Sequence, residues 1–288
     1  MKNIAIITGA SSGMGKEFAE HISKKTFTEK FLSKGREALD EIWIIARRED
    51  KLLEIAEKIN SENHFNIVRP VPLDISGKEG VLAFKKIIDA ETEKLSKIES
   101  SLNISILINN AGFGTYGPFE ETPFEREMEM TDLNCTTLVG FTGVCLPYMK
   151  KGGIIINTGS LASFLPLGEF AVYGATKSYV LSFSVALAAE LKSRGITVTA
   201  MCPGPVSTDF ANVASGGARP KVKHGLDAGK VVAHCLKKAL KGKRIAIYAF
   251  KWKFKKAASR FVPRYLGAWF TFKYCKRPHS SPDGEVNI

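Results

Sequence analysis

Ile4-Ala5-Ile6-Ile7-Thr8-Gly9-Ala10-Ser11-Ser12-Gly13-Met14-Gly15 is the stretch that decides the fold. Ile4–Thr8 is a short, largely β-branched apolar run and reads as a buried strand. Gly13–Lys24 follows with helical patterning. Between them Gly9, Gly13 and Gly15 lack a Cβ, so the chain turns tightly and a ligand can approach the backbone closely. The start of the helix then offers free N–H groups and a positive dipole end, which suits a pyrophosphate. Strand, glycine-rich turn and helix in that order open a nucleotide-binding βαβ unit.

Outward from this unit the same alternation continues. Strands are expected over Ile42–Ala46, Asn66–Pro70, Ile104–Ile108, Ile154–Asn157, Thr197–Met201 and Ile245–Tyr248. Helices are expected over Asp50–Asn60, Lys78–Ile98, Phe124–Met149, Val172–Arg194 and Leu226–Leu240. Strands joined by crossover helices pair in parallel with right-handed connections. The fold class is therefore α/β: a doubly wound, all-parallel, Rossmann-type sheet with helices on both faces. Residues 1–250 read as one dinucleotide-binding and catalytic domain and 251–288 as a basic, aromatic extension. Thr26–Leu39 is longer than a connection needs and either lengthens the first helix or forms an extra surface element.

Tyr173 and Lys177 lie four residues apart in a helical segment, on one face and one turn apart. A phenol with a pKa of about 10 is a poor proton donor at neutrality, and a neighbouring ammonium favours the phenolate. The pair is thus expected to lower the Tyr173 pKa toward the working range.

Four motifs in order resemble the short-chain dehydrogenase/reductase family over roughly residues 2 to 250. The turn has that family's TGxxxGxG spacing, and Asn109-Asn110-Ala111-Gly112 matches its NNAG motif after the fourth strand. Ser160 stands thirteen residues before Tyr173-x-x-x-Lys177, and Pro203-Gly204 closes the sixth strand with Val206 and Thr208 beyond. The resemblance implies that Ser160 polarises a substrate carbonyl, Tyr173 exchanges the proton, and Lys177 tunes the phenol and holds the nicotinamide ribose. It also implies that Asn134 anchors a water of the proton relay, and that Gly9, Ser11, Ser12, Gly13, Met14, Gly15, Asn110, Ala111, Gly112, Pro203, Gly204, Val206 and Thr208 surround the cofactor. Asp74-Ile75 resembles the adenine-contacting pair. Relatives commonly pair through the helices around 124–149 and 172–194, so a homodimer or homotetramer is expected.

Cofactor choice rests on the end of the second strand, Ala46-Arg47-Arg48, where no carboxylate appears before Glu49. A guanidinium there matches a 2′-phosphate bidentately, which favours NADP(H) over NAD(H). On the substrate side Phe113, Phe164, Leu165, Phe170 and Phe210 follow the motifs and are expected to line an apolar pocket. Ala211–Lys223 reads as a mobile lid carrying Arg219 and Lys221. The expected reaction is NADP(H)-dependent interconversion of a ketone and a secondary alcohol on a bulky hydrophobic substrate, hydroxysteroid dehydrogenase-like. The alternatives are a long-chain 3-oxoacyl reductase and a non-catalytic NADP(H) sensor.

Composition frames this reading. The 288 residues are 44% hydrophobic and 24% charged, as in soluble globular proteins. The five scattered cysteines form no CxxC pair, so neither a disulfide framework nor a metal site is expected, and a reducing cytoplasm is the default. Met1-Lys2-Asn3 leads straight into the first strand, leaving no room for a signal peptide. Of the net charge of +12, the segment Phe250–Ile288 carries +7, from nine Lys/Arg against Asp283 and Glu285. Its interleaved Trp252, Phe254, Trp269, Phe270 and lysines suit either peripheral contact with an anionic membrane or a helix packed over the substrate pocket or a subunit partner. Nucleic acid is not expected, since no recognition fold accompanies the charge.

Overall fold

The computed structural model describes residues 1–64, 66–220, 222, 224–280 and 286–287. Seven strands form one parallel sheet: β1 (Lys2–Thr8), β2 (Glu41–Ala46), β3 (Val68–Pro72), β4 (Leu102–Asn109), β5 (Ile154–Thr158), β6 (Thr197–Met201) and β7 (Ile245–Ala246). They lie in the order β3-β2-β1-β4-β5-β6-β7, all pairs parallel. The chain winds first toward one edge and then crosses β1 to build the other half, so the order reverses between β1 and β4. That switch point leaves a crevice at the carboxyl ends of the strands.

Both faces of the sheet are buried, which is why its strands are apolar on both sides. Ile4 and Ile6 of β1, with Trp43 and Ile45 of β2, face one layer. It contains α4 (Gly77–Ser96), α6 (Thr137–Cys145) and α7 (Ala171–Glu190). Ala5, Ile7, Ile42 and Ile44 alternate to the other face. There they meet α1 (Gly13–Ile22), α3 (Glu49–Asn63) and α9 (Ala228–Leu240). Phe84 of α4 stacks on Phe141 of α6 with ring centroids 4.0 Å apart, both fully buried. Burial of side chains this size contributes roughly 1.5–3 kcal/mol each.

Several elements depart from the sequence expectation. Residues within Thr26–Leu39 form a separate helix, α2 (Lys25–Leu32), whose Phe27 and Phe31 stack on each other and join the core. The third strand starts two residues late, at Val68, where the Asn60 side chain pairs with both backbone groups of Val68. The helix expected over Phe124–Met149 is broken into α5 (Phe124–Thr131), a single π-helical turn at Asp132–Thr136, and α6. The extra residue in that turn carries Asn134 inward, where its amide holds the Phe113 backbone N–H (3.2 Å) and carbonyl (3.0 Å) and Thr176 Oγ1 (3.1 Å). Such turns are energetically poor and occur chiefly where a side chain must be re-aimed at a functional site.

Beyond β7 two further helices, α10 (Phe250–Ala258) and α11 (Arg264–Tyr274), fold back onto the body. The backbone N–H of Gly168 donates to Thr271 Oγ1 of α11 at 2.9 Å. Glu169 accepts from Lys276 Nζ at 2.6 Å and from the Arg277 backbone at 2.8 Å, and His279 pairs with Glu121 at 2.9 Å.

Candidate active site

The crevice at the switch point is built on Thr8. Its hydroxyl accepts from the backbone N–H groups of Asn110 and Ala111, both at 3.0 Å. The Asn110 side chain returns a hydrogen bond to the Thr8 carbonyl at 3.1 Å. This ties the turn after β1 to the turn after β4 so closely that a Cβ on Gly9 would lie 2.8 Å from Ala111 Cα. Gly15 is equally constrained, since its Cβ would stand 2.1 Å from the Gly9 carbonyl oxygen. Ser12 begins α1 without a side-chain capping bond, so the first N–H groups of the helix remain for a ligand. Arg48 reaches Ser11 Oγ at 3.0 Å and Ser12 Oγ at 2.9 Å. Helix N-terminus, two hydroxyls and a guanidinium make a donor set that fits a phosphorylated dinucleotide. Arg47 lies farther out, with Nη1 3.9 Å from Asp74 Oδ2 and both side chains exposed. Ile75 is buried in the core and presents its carbonyl to Thr137 rather than to the crevice.

Ser160 follows β5 and begins a short 3-10 turn in a capping box, accepting from the Ala162 N–H while Ser163 Oγ accepts from its own N–H. This reciprocal pair fixes the hydroxyl at the strand end. Tyr173 and Lys177 occupy successive turns of α7, both buried. Lys177 Nζ lies 5.6 Å from the centre of the Tyr173 ring and donates to the Thr158 carbonyl at 2.9 Å. The expectation that Lys177 lowers the Tyr173 pKa does not hold in the free protein. Burial drives the phenol above its ordinary range, and the hydrogen bond with Ser160 opposes this only in part. Burial also pulls Lys177 down from 10.5 to about 8. Burial thus favours the neutral phenol of Tyr173 beside Ser160.

A cavity of about 450 Å³ opens above this pair, lined among others by Met14, Ser160, Tyr173, Thr208, Phe210 and Trp252. Asn110, Gly112, Pro203, Gly204 and Val206 also border it. Phe170 stacks on Tyr173 at 4.1 Å, Tyr116 meets Phe170 edge-on at 4.8 Å, and Phe210 tilts against Tyr173 at 5.4 Å. Phe113 packs beside this cluster beneath the Arg126 guanidinium.

Three expected substrate residues do not line the cavity: Phe113 packs behind the aromatic cluster, and Phe164 and Leu165 are displaced. Phe164 turns away to pack with Trp252 and lies under Lys256, and Leu165 fills the space left by Gly267 of α11. Their places are taken by the C-terminal segment, which brings Trp252, Cys275, Lys276 and Arg277 to the cavity. Trp252 sits directly on Gly204, where a Cβ would meet the indole at 2.4 Å. The expected lid contributes a short helix, α8 (Phe210–Ala214), and Arg219 and Val222 at the rim. Lys221 and Lys223 lie outside the described residues. Thr8 and Thr158 adjoin the motifs and were within reach of sequence reasoning. Trp252 and Arg277 lie in no motif; the basic, aromatic extension containing Trp252 allowed packing over the pocket, but nothing local marks Arg277.

The buried Lys177 has a consequence for pH dependence. Its folded pKa of about 8 lies below the ordinary 10.5, so between these values the unfolded chain binds more protons and stability from this group rises with pH. The difference in urea stability between wild type and Lys177→Met should shift in favour of wild type from pH 8 to 10.5, by at most about 1.4 kcal/mol per unit. A flat difference would show that Lys177 titrates normally.

Comparison with known proteins agrees with this fold. A family model described as short chain dehydrogenase matches residues 3–217. A very-long-chain 3-oxoacyl-CoA reductase of Pyricularia oryzae is 31% identical over 198 residues, covering 67% of this chain and 53% of that protein. One of the same description from Neurospora crassa is 30% identical over 213 residues, covering 73% and 58%. The chain thus spans little more than half the length of these curated relatives. Among solved structures, a short-chain dehydrogenase from Sphingobium yanoikuyae in complex with NADPH superposes with a TM-score of 0.71 at 24% identity, covering 91% of this chain and 94% of that one. The bulky-bulky ketone specific alcohol dehydrogenase from Comamonas testosteroni does so with 0.67 at 22%, covering 90% and 92%. With its sheet order and the match over residues 3–217, the chain belongs to the short-chain dehydrogenase family.

Proposed function

We propose that this protein is an NADP(H)-dependent reductase of long-chain 3-oxoacyl thioesters. The observation that carries the reading is a buried Tyr173 beside Ser160 in the wall of an aromatic cavity, where burial favours the neutral phenol. When bound, NADPH supplies hydride to the carbonyl carbon. Ser160 donates a hydrogen bond to the carbonyl oxygen as negative charge develops there, and Tyr173 delivers its proton to the same oxygen. Lys177, held by the Thr158 carbonyl, lies beside the phenol and favours its anion once the proton has left. Asn134 keeps the Phe113 backbone and Thr176 in register beside this relay. A non-catalytic sensor would have no use for Ser160 and Tyr173 meeting at the cavity.

The acyl reading takes precedence over a hydroxysteroid because the curated relatives named above are 3-oxoacyl-CoA reductases. The steroid reading keeps support from the flat rings of Tyr116, Phe170 and Phe210, which suit a fused ring system. NADP(H) is favoured by Arg48 more than by Arg47, since Arg48 already shares Ser11 and Ser12 with the phosphate-binding turn. Self-association through α5, α6 and α7 belongs to the same reading, as Phe124, Met128 and Tyr179 stand exposed there. So does peripheral membrane contact: Tyr265, Leu266, Trp269 and Phe270 form an exposed face of α11, and residues 250–280 contain no acid. No helix among the described residues is long and apolar enough to cross a membrane.

Wild type should oxidise NADPH with long-chain 3-oxoacyl thioesters at a higher kcat/KM than with steroid ketones, and the reverse order would reinstate the steroid. Tyr173→Phe should lower kcat by about 10²–10⁴-fold while NADPH binding stays nearly intact, and unchanged turnover would overturn the mechanism. Arg48→Ala should weaken NADPH by about tenfold and leave NADH little changed; equal losses would remove the phosphate clamp. Trp269→Ser with Phe270→Ser should abolish salt-sensitive sedimentation with anionic vesicles, and wild type that stays in the supernatant would dismiss the membrane contact.

A further inference from the structure

Outside the family match, the C-terminal segment brings a second chemistry to the cavity. Its charged lining consists of Lys177, Arg219, Lys276 and Arg277, with no acidic side chain among the described lining residues. Two of these cations are already engaged, Lys177 by the Thr158 carbonyl and Lys276 by Glu169. Arg277 gives Nη1 to the Gly168 carbonyl at 2.6 Å, and its guanidinium lies over the Phe170 ring at 5.2 Å, one ring away from Tyr173. The remaining donors of its fork are not used by that bond. Arg219 also lines the cavity, held through its backbone N–H by Ser215 Oγ at 2.8 Å. Burial lowers the Arg277 pKa below the ordinary arginine range, and the Arg219 charge lies close enough to add to the effect. Glu169, against the Arg277 backbone, offsets part of this from behind, but no carboxylate lines the cavity itself, so an anion there would relieve the repulsion between the two guanidiniums. Trp252 also lines the cavity, but its indole N–H is buried against Gly204, which leaves the two guanidiniums as the charged donors in question.

We propose that Arg219 and Arg277 form an anion-binding pair that receives a phosphate of the carrier to which the acyl substrate is esterified. The proposal rests on the 3-oxoacyl thioester reading and adds to it a specificity determinant supplied by the C-terminal segment. Guanidinium forks match phosphate oxygens bidentately, whereas a neutral thioester offers them nothing. The keto group would then lie over Tyr173 with the acyl chain among the phenylalanines, and the anionic carrier would point toward the C-terminal cover.

The test is titration calorimetry of unacylated coenzyme A into the full-length, NADP-saturated protein, paired with kinetics on two substrates. These are a 3-oxoacyl-coenzyme A and the N-acetylcysteamine thioester of the same acyl chain, which lacks phosphate. Wild type should bind coenzyme A and show a KM at least about tenfold lower for the charged thioester, as one charge-assisted contact would give. Arg219→Leu and Arg277→Leu should each weaken coenzyme A and move the KM ratio toward one. Arg277→Lys should retain part of both. Arg219→Leu is the cleaner variant, because the bond to Ser215 is backbone and survives, whereas Arg277 also latches Gly168. Absence of coenzyme A binding to wild type, or a KM ratio unmoved in both leucine variants, overturns the pair even if both thioesters are reduced. Weakened NADP affinity with an unchanged coenzyme A affinity would assign the anion to the cofactor and likewise overturn it. Coenzyme A binding that depends on both arginines, with neither thioester reduced, would leave the pair standing and sink the substrate reading instead.

Discussion

The junction between Thr8 and Asn110 is the constraint on which the site depends. One hydroxyl accepts two backbone N–H groups and one amide returns to the Thr8 carbonyl, all at about 3 Å, at the point where the sheet order reverses. A parallel sheet that reverses order opens a crevice there, and its side chains would ordinarily keep the two turns apart. Gly9, lying against Ala111, lets the backbones meet instead, so that α1 begins immediately beside the ends of β4 and β5. Met14 of the glycine-rich turn then lines the same cavity as Ser160, Tyr173 and Lys177. Asn109, Asn157 and Ser184 continue the same polar seam beneath the sheet, each buried and hydrogen-bonded, and buried seams of this kind tolerate one register only.

Within that frame, desolvation outweighs proximity. Tyr173 and Lys177 stand as helical spacing requires, yet the packing that surrounds them pushes the phenol up and the ammonium down. The two shifts have one cause: each charged form loses water and gains too few partners to replace it. Burial therefore favours the neutral form of both side chains in the free protein.

The C-terminal segment has two faces with different duties. Gly267 and Thr271 of α11 lie against Leu165 and Gly168, and Glu169 gathers Lys276 and the Arg277 backbone, so this side is docked by packing and charge. The other side displays Tyr265, Trp269 and Phe270. Interleaving of basic and aromatic residues therefore served two readings at once, and docking over the pocket describes the inward half. Phe164 and Leu165 are taken up by that docking, which is why they leave the cavity to Phe170, Phe210 and Tyr116.

Sequence by itself determined the sheet, its direction of winding and the identity of the turn, because these follow from local periodicity and from glycines at positions where no Cβ fits. It also named Ser160, Tyr173 and Lys177, whose spacing is set by a strand end and a single helix. The broken helix at Asn134 was not legible, since a π-turn is selected by the tertiary hydrogen bonds to Phe113 and Thr176 and leaves no local pattern. The pKa directions were not legible either, because burial is a property of everything that packs around a side chain. Only the tertiary structure decided that Trp252 and Arg277, roughly a hundred residues from Tyr173, complete the cavity. Contacts between segments so distant in the chain arise from complementary surfaces, and a surface exists only once the fold has formed.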